Sequence, residues 1–137
     1  MTAMNGFGHL NACIGIGSLI KRGHQVYFAF NDAYKETIEK YGFHYISFRE
    51  YNDKNYSLIN GLPLEALKES MKPDSSDKDS SNFLFEVAKG ENCAMLNILE
   101  EMKPDICLAD YLWFMPWMAK ASCPVVSYYV VITTRSL

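Results

Sequence analysis

Between residues 10 and 48 the chain alternates helical and strand-like runs over short connections, and few folds accept that order. Leu10, Cys13, Ile14, Gly17 and Ile20 recur at helical spacing, which predicts a helix packed by one face on a sheet. Arg22 and Gly23 stop it, a basic side chain in the last turn and a glycine beyond. Gly15 and Gly17 lower helix propensity, so close backbone packing is the expectation at both. Gln25–Phe30 is an apolar run of strand length. Asn31 or Asp32 can cap the next helix, whose Tyr34, Ile38 and Tyr41 share one side before Gly42 ends it. Phe43–Phe48 is a further strand, and Thr2-Ala3-Met4 is the remnant of a first one. The order β-α-β-α-β with short links requires parallel strands joined by right-handed crossovers. The fold class is therefore α/β, a parallel sheet with flanking helices.

Beyond Arg49 the pattern is less regular. A short helix is predicted over 63–71, and the polar, low-complexity stretch 72–81 reads as a mobile loop. A longer helix follows over 82–102, with Phe83, Val87, Met95, Ile98, Leu99 and Met102 among its apolar positions and Gly90 a candidate kink. Lys103-Pro104-Asp105 introduces the strand Ile106–Asp110; a short helix then precedes the strand Pro124–Val131. The 137 residues read as one domain that looks incomplete at both ends, because the first strand is short and no helix closes the last.

Composition narrows the function classes. A net charge of -3 without a basic stripe points away from nucleic acid and anionic membranes as partners. No apolar run has the length of a transmembrane helix, and no secretory signal opens the chain. Cys13, Cys93, Cys107 and Cys123 show no metal-ligand spacing and are expected as free thiols in a reducing compartment, hence a cytoplasmic location. The sequon Asn55-Tyr56-Ser57 is expected to go unused there.

Two residues stand out chemically. Gly6-Phe7-Gly8-His9-Leu10-Asn11 places a histidine at the opening of the first helix, at the C-terminal edge of a parallel sheet, where α/β proteins hold ligands. The positive end of that helix favours a neutral imidazole able to accept a proton. Asp110 ends a nonpolar strand and falls on the same edge. It either caps the turn that follows or bonds one nitrogen of His9, fixing the tautomer and stabilising an imidazolium. The aromatic and methionine-rich run Tyr111–Met118 is either core or the lining of an apolar acceptor pocket. His24 and His44 are read as packing or surface residues. GxSxG, HExxH, GxxxxGK[ST] and GxGxxG patterns are all missing, and no metal site is found.

These motifs together resemble the UDP-glycosyltransferases of the GT-B fold. Gly8-His9-Leu10-Asn11 is similar to that family's GHxxP opening, with Ala12 where proline is common, and Arg22-Gly23-His24-Gln25-Val26 to its RGHxV segment. Tyr41-Gly42-Phe43, Lys103-Pro104-Asp105, Ala109–Phe114 and Cys123-Pro124-Val125-Val126 extend the likeness. The resemblance implies a Rossmann-like, acceptor-side half of an inverting hexosyltransferase. His9 would be its base and Asp110 the supporting carboxylate. Phe7, Gly8, Asn11, Trp113 and Phe114 would be acceptor contacts. It implies a UDP-sugar co-substrate, a small hydroxylated lipophilic acceptor and no further cofactor. The donor-side glycine- and histidine-rich motif does not occur in these residues, so the C-terminal donor-binding domain is absent from them and the chain alone is expected to be inactive. Full-length relatives occur both in the cytosol and on the ER membrane. The alternatives are a non-catalytic small-molecule binding protein and a flavodoxin-like structural or regulatory domain.

Overall fold

The computed structural model describes residues 1–3, 6–51 and 77–128. In chain order its elements are α1 (Phe7–Ile20), β1 (Tyr27–Phe30), a 3-10 turn (Asp32–Tyr34) and α2 (Lys35–Lys40). Then come β2 (His44–Ser47), α3 (Asp77–Met102), β3 (Cys107–Asp110), a second 3-10 turn (Tyr111–Trp113), α4 (Trp117–Lys120) and β4 (Val125–Tyr128). The architecture is mixed α/β, built on two parallel strand pairs, β1 with β2 and β3 with β4. Residues 1–3 lie between the pairs: Met1 accepts from the Ala29 amide at 2.9 Å, while Thr2 donates to Leu108 at 3.0 Å and accepts from Asp110 at 3.1 Å.

Side-chain alternation along β1 divides the core between two faces. Phe28 and Phe30 point to one face, against Leu10, Cys13 and Ile14 of α1 and Ile38 of α2. Ala29 points to the other, against Ala94, Met95, Ile98 and Leu99 of α3, with Cys107, Met115 and Trp117. The first cluster is aromatic: Phe28 and Phe43 lie 4.6 Å apart between ring centroids, and Phe30 meets Tyr34 edge-on at 6.2 Å.

Of the two glycines in α1, only one is explained by packing. A Cβ at Gly17 would lie 2.9 Å from Phe28 Cζ and 3.1 Å from Phe43 Cζ, so the helix can approach those rings only with glycine there. Gly15 faces open space and the expectation of close packing fails for it. The helix ends at Ile20, where Lys21 N–H donates to Gly17 at 2.9 Å, and Gly23 then takes φ +110°. Gly42 takes φ +73° after α2, and Lys21 Nζ donates to its carbonyl at 2.8 Å, tying the two helix ends together.

The middle of the chain departs from expectation. Residues 77–81 are the first turn of α3, a helix of 26 residues, and not part of a loop. Asp and Ser compete for backbone hydrogen bonds and so read as turn formers. The packed half of the helix around Ala94–Leu99 nonetheless propagates the ladder outward at the low cost of elongation. The expected helix over 63–71, residues 72–76, the sequon, Met4 and the strand end 129–131 lie outside the described residues.

Candidate functional site

At the C-terminal ends of the strands, the first turn of α1 meets the last residue of β3. Gly6 caps α1 in an extended conformation, and His9 is the third helical residue. A Cβ at Gly6 would stand 3.3 Å from His9 Cδ2, so the imidazole lies against the bare face of that glycine. Asp110 is 2% exposed. Its Oδ1 accepts the Leu112 amide at 3.0 Å and starts the 3-10 turn, while its Oδ2 accepts from His9 Nδ1. The two roles weighed from sequence are thus held by one side chain, one oxygen for each. An ionised carboxylate is acceptor-only, which assigns the proton to Nδ1 and leaves Nε2 as the basic nitrogen. The His9 side chain remains 21% exposed.

One helical turn below His9 sits Cys13, on the same face of α1. Tyr128 is the register partner of Asp110 across β3 and β4, and its hydroxyl meets Cys13 Sγ at 2.6 Å. Burial pushes the Cys13 thiol up to about 11 and raises the Tyr128 phenol as well, so both are uncharged at neutral pH.

A second carboxylate stands at the same edge. Asp32, just beyond β1, accepts from the Tyr45 hydroxyl at 2.7 Å and from Ser47 Oγ. Ser47 Oγ in turn accepts the Arg49 amide at 3.1 Å. Burial first, and the bond to Asp32 second, raise the Tyr45 phenol above its ordinary value. The cap of the preceding turn is Asn31, whose Oδ1 accepts the Ala33 amide at 3.0 Å.

The other sequence candidates fall as follows. Gly8 and Asn11 are exposed on α1. Phe114 is 76% exposed just past the second 3-10 turn, beside exposed Tyr111 and Leu112. Phe7 begins α1 and Trp113 ends the turn, but their side chains lie outside the described part. Met115 and Trp117 are core. His24 and His44 are exposed, His44 stacking on Tyr27 at 4.9 Å. The four cysteines are free thiols, Cys13 and Cys107 buried.

Two features escaped the sequence. The Cys13–Tyr128 contact had a signal in the four-residue spacing from His9. Asp32, a cap candidate from sequence, is the first residue of its 3-10 turn; the residue that caps that turn, as Asp110 caps the other, is Asn31. A depression of about 570 Å³, lined by Leu96, Leu99, Glu100, Lys103, Pro104, Lys120 and Ser122, lies at the opposite ends of the strands. Among the described residues, no group of three or more His, Cys, Asp or Glu is placed to hold a metal, and no helix is long and apolar enough to cross a membrane. No protein-family model matches the sequence, and no curated protein matches it.

Proposed function

We propose that the chain is the acceptor-binding half of an inverting UDP-glycosyltransferase, with His9 as the base and Asp110 as the carboxylate that supports it. The observation that carries it is the bond from His9 Nδ1 to buried Asp110, which leaves the opposite ring nitrogen available to a ligand's hydroxyl. Nε2 takes the hydroxyl proton as the acceptor oxygen forms its bond to the anomeric carbon. The bond from that carbon to the diphosphate breaks, UDP departs, and the configuration inverts. Asp110 stabilises the imidazolium so formed. Proton removal by a positioned base contributes about 10²–10⁴-fold to such a reaction.

The exposed side chains of Tyr111, Leu112 and Phe114 supply an apolar surface that begins one residue from the carboxylate. They suit a flat, partly apolar acceptor bearing a hydroxyl. The hydrogen bonds of residues 1–3 to β1 on one side and β3 on the other, with His9 and Asp110 at the C-terminal ends of the strands, support a Rossmann-like reading, in which ligands bind at that edge. The exposed apolar residues beside Asp110 support a chain that binds an acceptor.

Joining the 137 residues to a donor domain tests this. UDP release coupled to glycoside formation with an aryl alcohol is the expected outcome, abolished by His9→Ala, with no turnover by the isolated chain. Transfer that survives His9→Ala would overturn the assignment of the base. Acceptor binding without transfer in every fusion would favour the non-catalytic binding protein.

A further inference from the structure

Beneath the His9–Asp110 pair lies a second helix-to-sheet pair that the transfer chemistry does not use. Helix α1 contributes His9 and, four residues on, Cys13. The strands contribute Asp110 and its register partner Tyr128. The contacts run in parallel, His9 to Asp110 and Cys13 to Tyr128, so α1 is fastened to β3 at one level and to β4 one turn deeper. We propose that Tyr128 and Cys13 are positioning residues, which set the height and rotation of α1 and thereby hold the imidazole on the carboxylate. The proposal rests on His9 acting with Asp110 as described above.

Three observations support it. A rotation of α1 by a few degrees about its axis would swing the imidazole tip by a sizeable part of an ångström, and a hydrogen bond from the same face one turn on adds a directional restraint to the apolar packing of the helix. Cys13 is fully buried and Tyr128 packs against the same cluster as Leu10 and Ile14, which places the contact inside the core. Both groups are neutral at physiological pH, and thus add no charge to compete for His9 or Asp110.

The His9 ring nitrogens, followed by NMR in the 137-residue chain, provide the test. Tyr128→Phe keeps the ring and removes the hydroxyl; Cys13→Ala removes the sulfur; Cys13→Ser restores a hydrogen-bonding atom there. Both removals are expected to speed exchange of the Nδ1 proton with water by about tenfold, the worth of one hydrogen bond, and to shift the ring ¹⁵N signals. Cys13→Ser should return them most of the way, a rescue that a filler of space alone would not show. Unchanged exchange and shifts in folded Tyr128→Phe and Cys13→Ala would overturn the proposal. If Tyr128→Phe fails to fold, the contrast between Cys13→Ala and Cys13→Ser decides it: rescue supports, identical behaviour overturns. Asp110→Asn separates the two levels of inference. If it leaves His9 unmoved, the base assignment itself fails; if it moves His9 and Tyr128→Phe does not, only the positioning role is lost.

Discussion

Asp110 and Asp32 are both carboxylates at the C-terminal end of a strand, and each accepts two hydrogen bonds, yet their partners give them different capacities. Asp110 holds a backbone amide and an imidazole. Asp32 holds two hydroxyls, one on a phenol whose ionisation burial has pushed upward. An imidazole exchanges a proton near neutral pH; a hydroxyl of serine or a raised phenol does not. The same edge therefore carries one carboxylate paired with an imidazole, the one to which the proposed function gives a role in proton transfer, and one that ties β1 to β2. The partners distinguish them, and so does the way they are held: Asp110 gives one oxygen to each partner, whereas both hydroxyls share Oδ1 of Asp32.

The contrast is most easily broken by activity. In a fusion competent for transfer, Asp110→Asn should lower kcat/KM by about 10²–10⁴-fold, the range for a disabled general base, whereas Asp32→Asn stays within about tenfold. Equal losses, measured with one acceptor under matched conditions, would erase the distinction.

Alkaline unfolding comes next in size. The folded Cys13 thiol titrates at about 11 against an ordinary 9.0, so the unfolded chain releases its proton first as pH rises. The contribution of this thiol to stability is therefore unchanged below about pH 9 and falls by about 2–3 kcal/mol between there and pH 11. Urea midpoints across that interval should fall, and Cys13→Ala should delay the onset. A decline that starts at the same pH in Cys13→Ala would place its source elsewhere.

Stability does not separate the two clusters as activity does. Asp32→Ala strands the hydroxyls of Tyr45 and Ser47 and is expected to cost about 1–3 kcal/mol. His9→Ala strands Oδ2 of Asp110, which is 2% exposed, and is expected to cost about 1–3 kcal/mol as well. Chemical denaturation of both variants measures the two losses, and a negligible loss at His9 would mean that its bond to Asp110 contributes nothing to the fold.

The smallest effects distinguish two glycines of one motif. Gly6→Ala pushes a methyl to 3.3 Å from His9 Cδ2 and should tilt the ring, visible as altered His9 chemical shifts with little change in melting. Gly8→Ala meets nothing within 4 Å and sits inside the first turn of α1, where alanine should stabilise the fold by about 0.5–1 kcal/mol. Reversed results would contradict the placement of the imidazole over Gly6.

Much of the framework was legible before any coordinates. The apolar spacing of Leu10, Cys13, Ile14 and Gly17 and the runs at β1, β2 and β3 are local signals, and each became the element it predicted. Residues 77–81 misled because their Asp and Ser residues favour turns locally, while the helix there is extended from a packed segment far along the chain. Gly15 misled because low helix propensity looks the same whether or not a ring lies opposite.

The sequence by itself determined the order of elements and the arrival of a histidine and an aspartate at strand ends, since periodicity and strand polarity are written residue by residue. Only the tertiary structure decided which oxygen of Asp110 meets which nitrogen of His9, that Tyr128 stands beside that aspartate, and that Cys13 reaches it. Those contacts join residues about a hundred positions apart, through the register of two parallel strands and the rotation of one helix, which packing sets and local sequence does not encode.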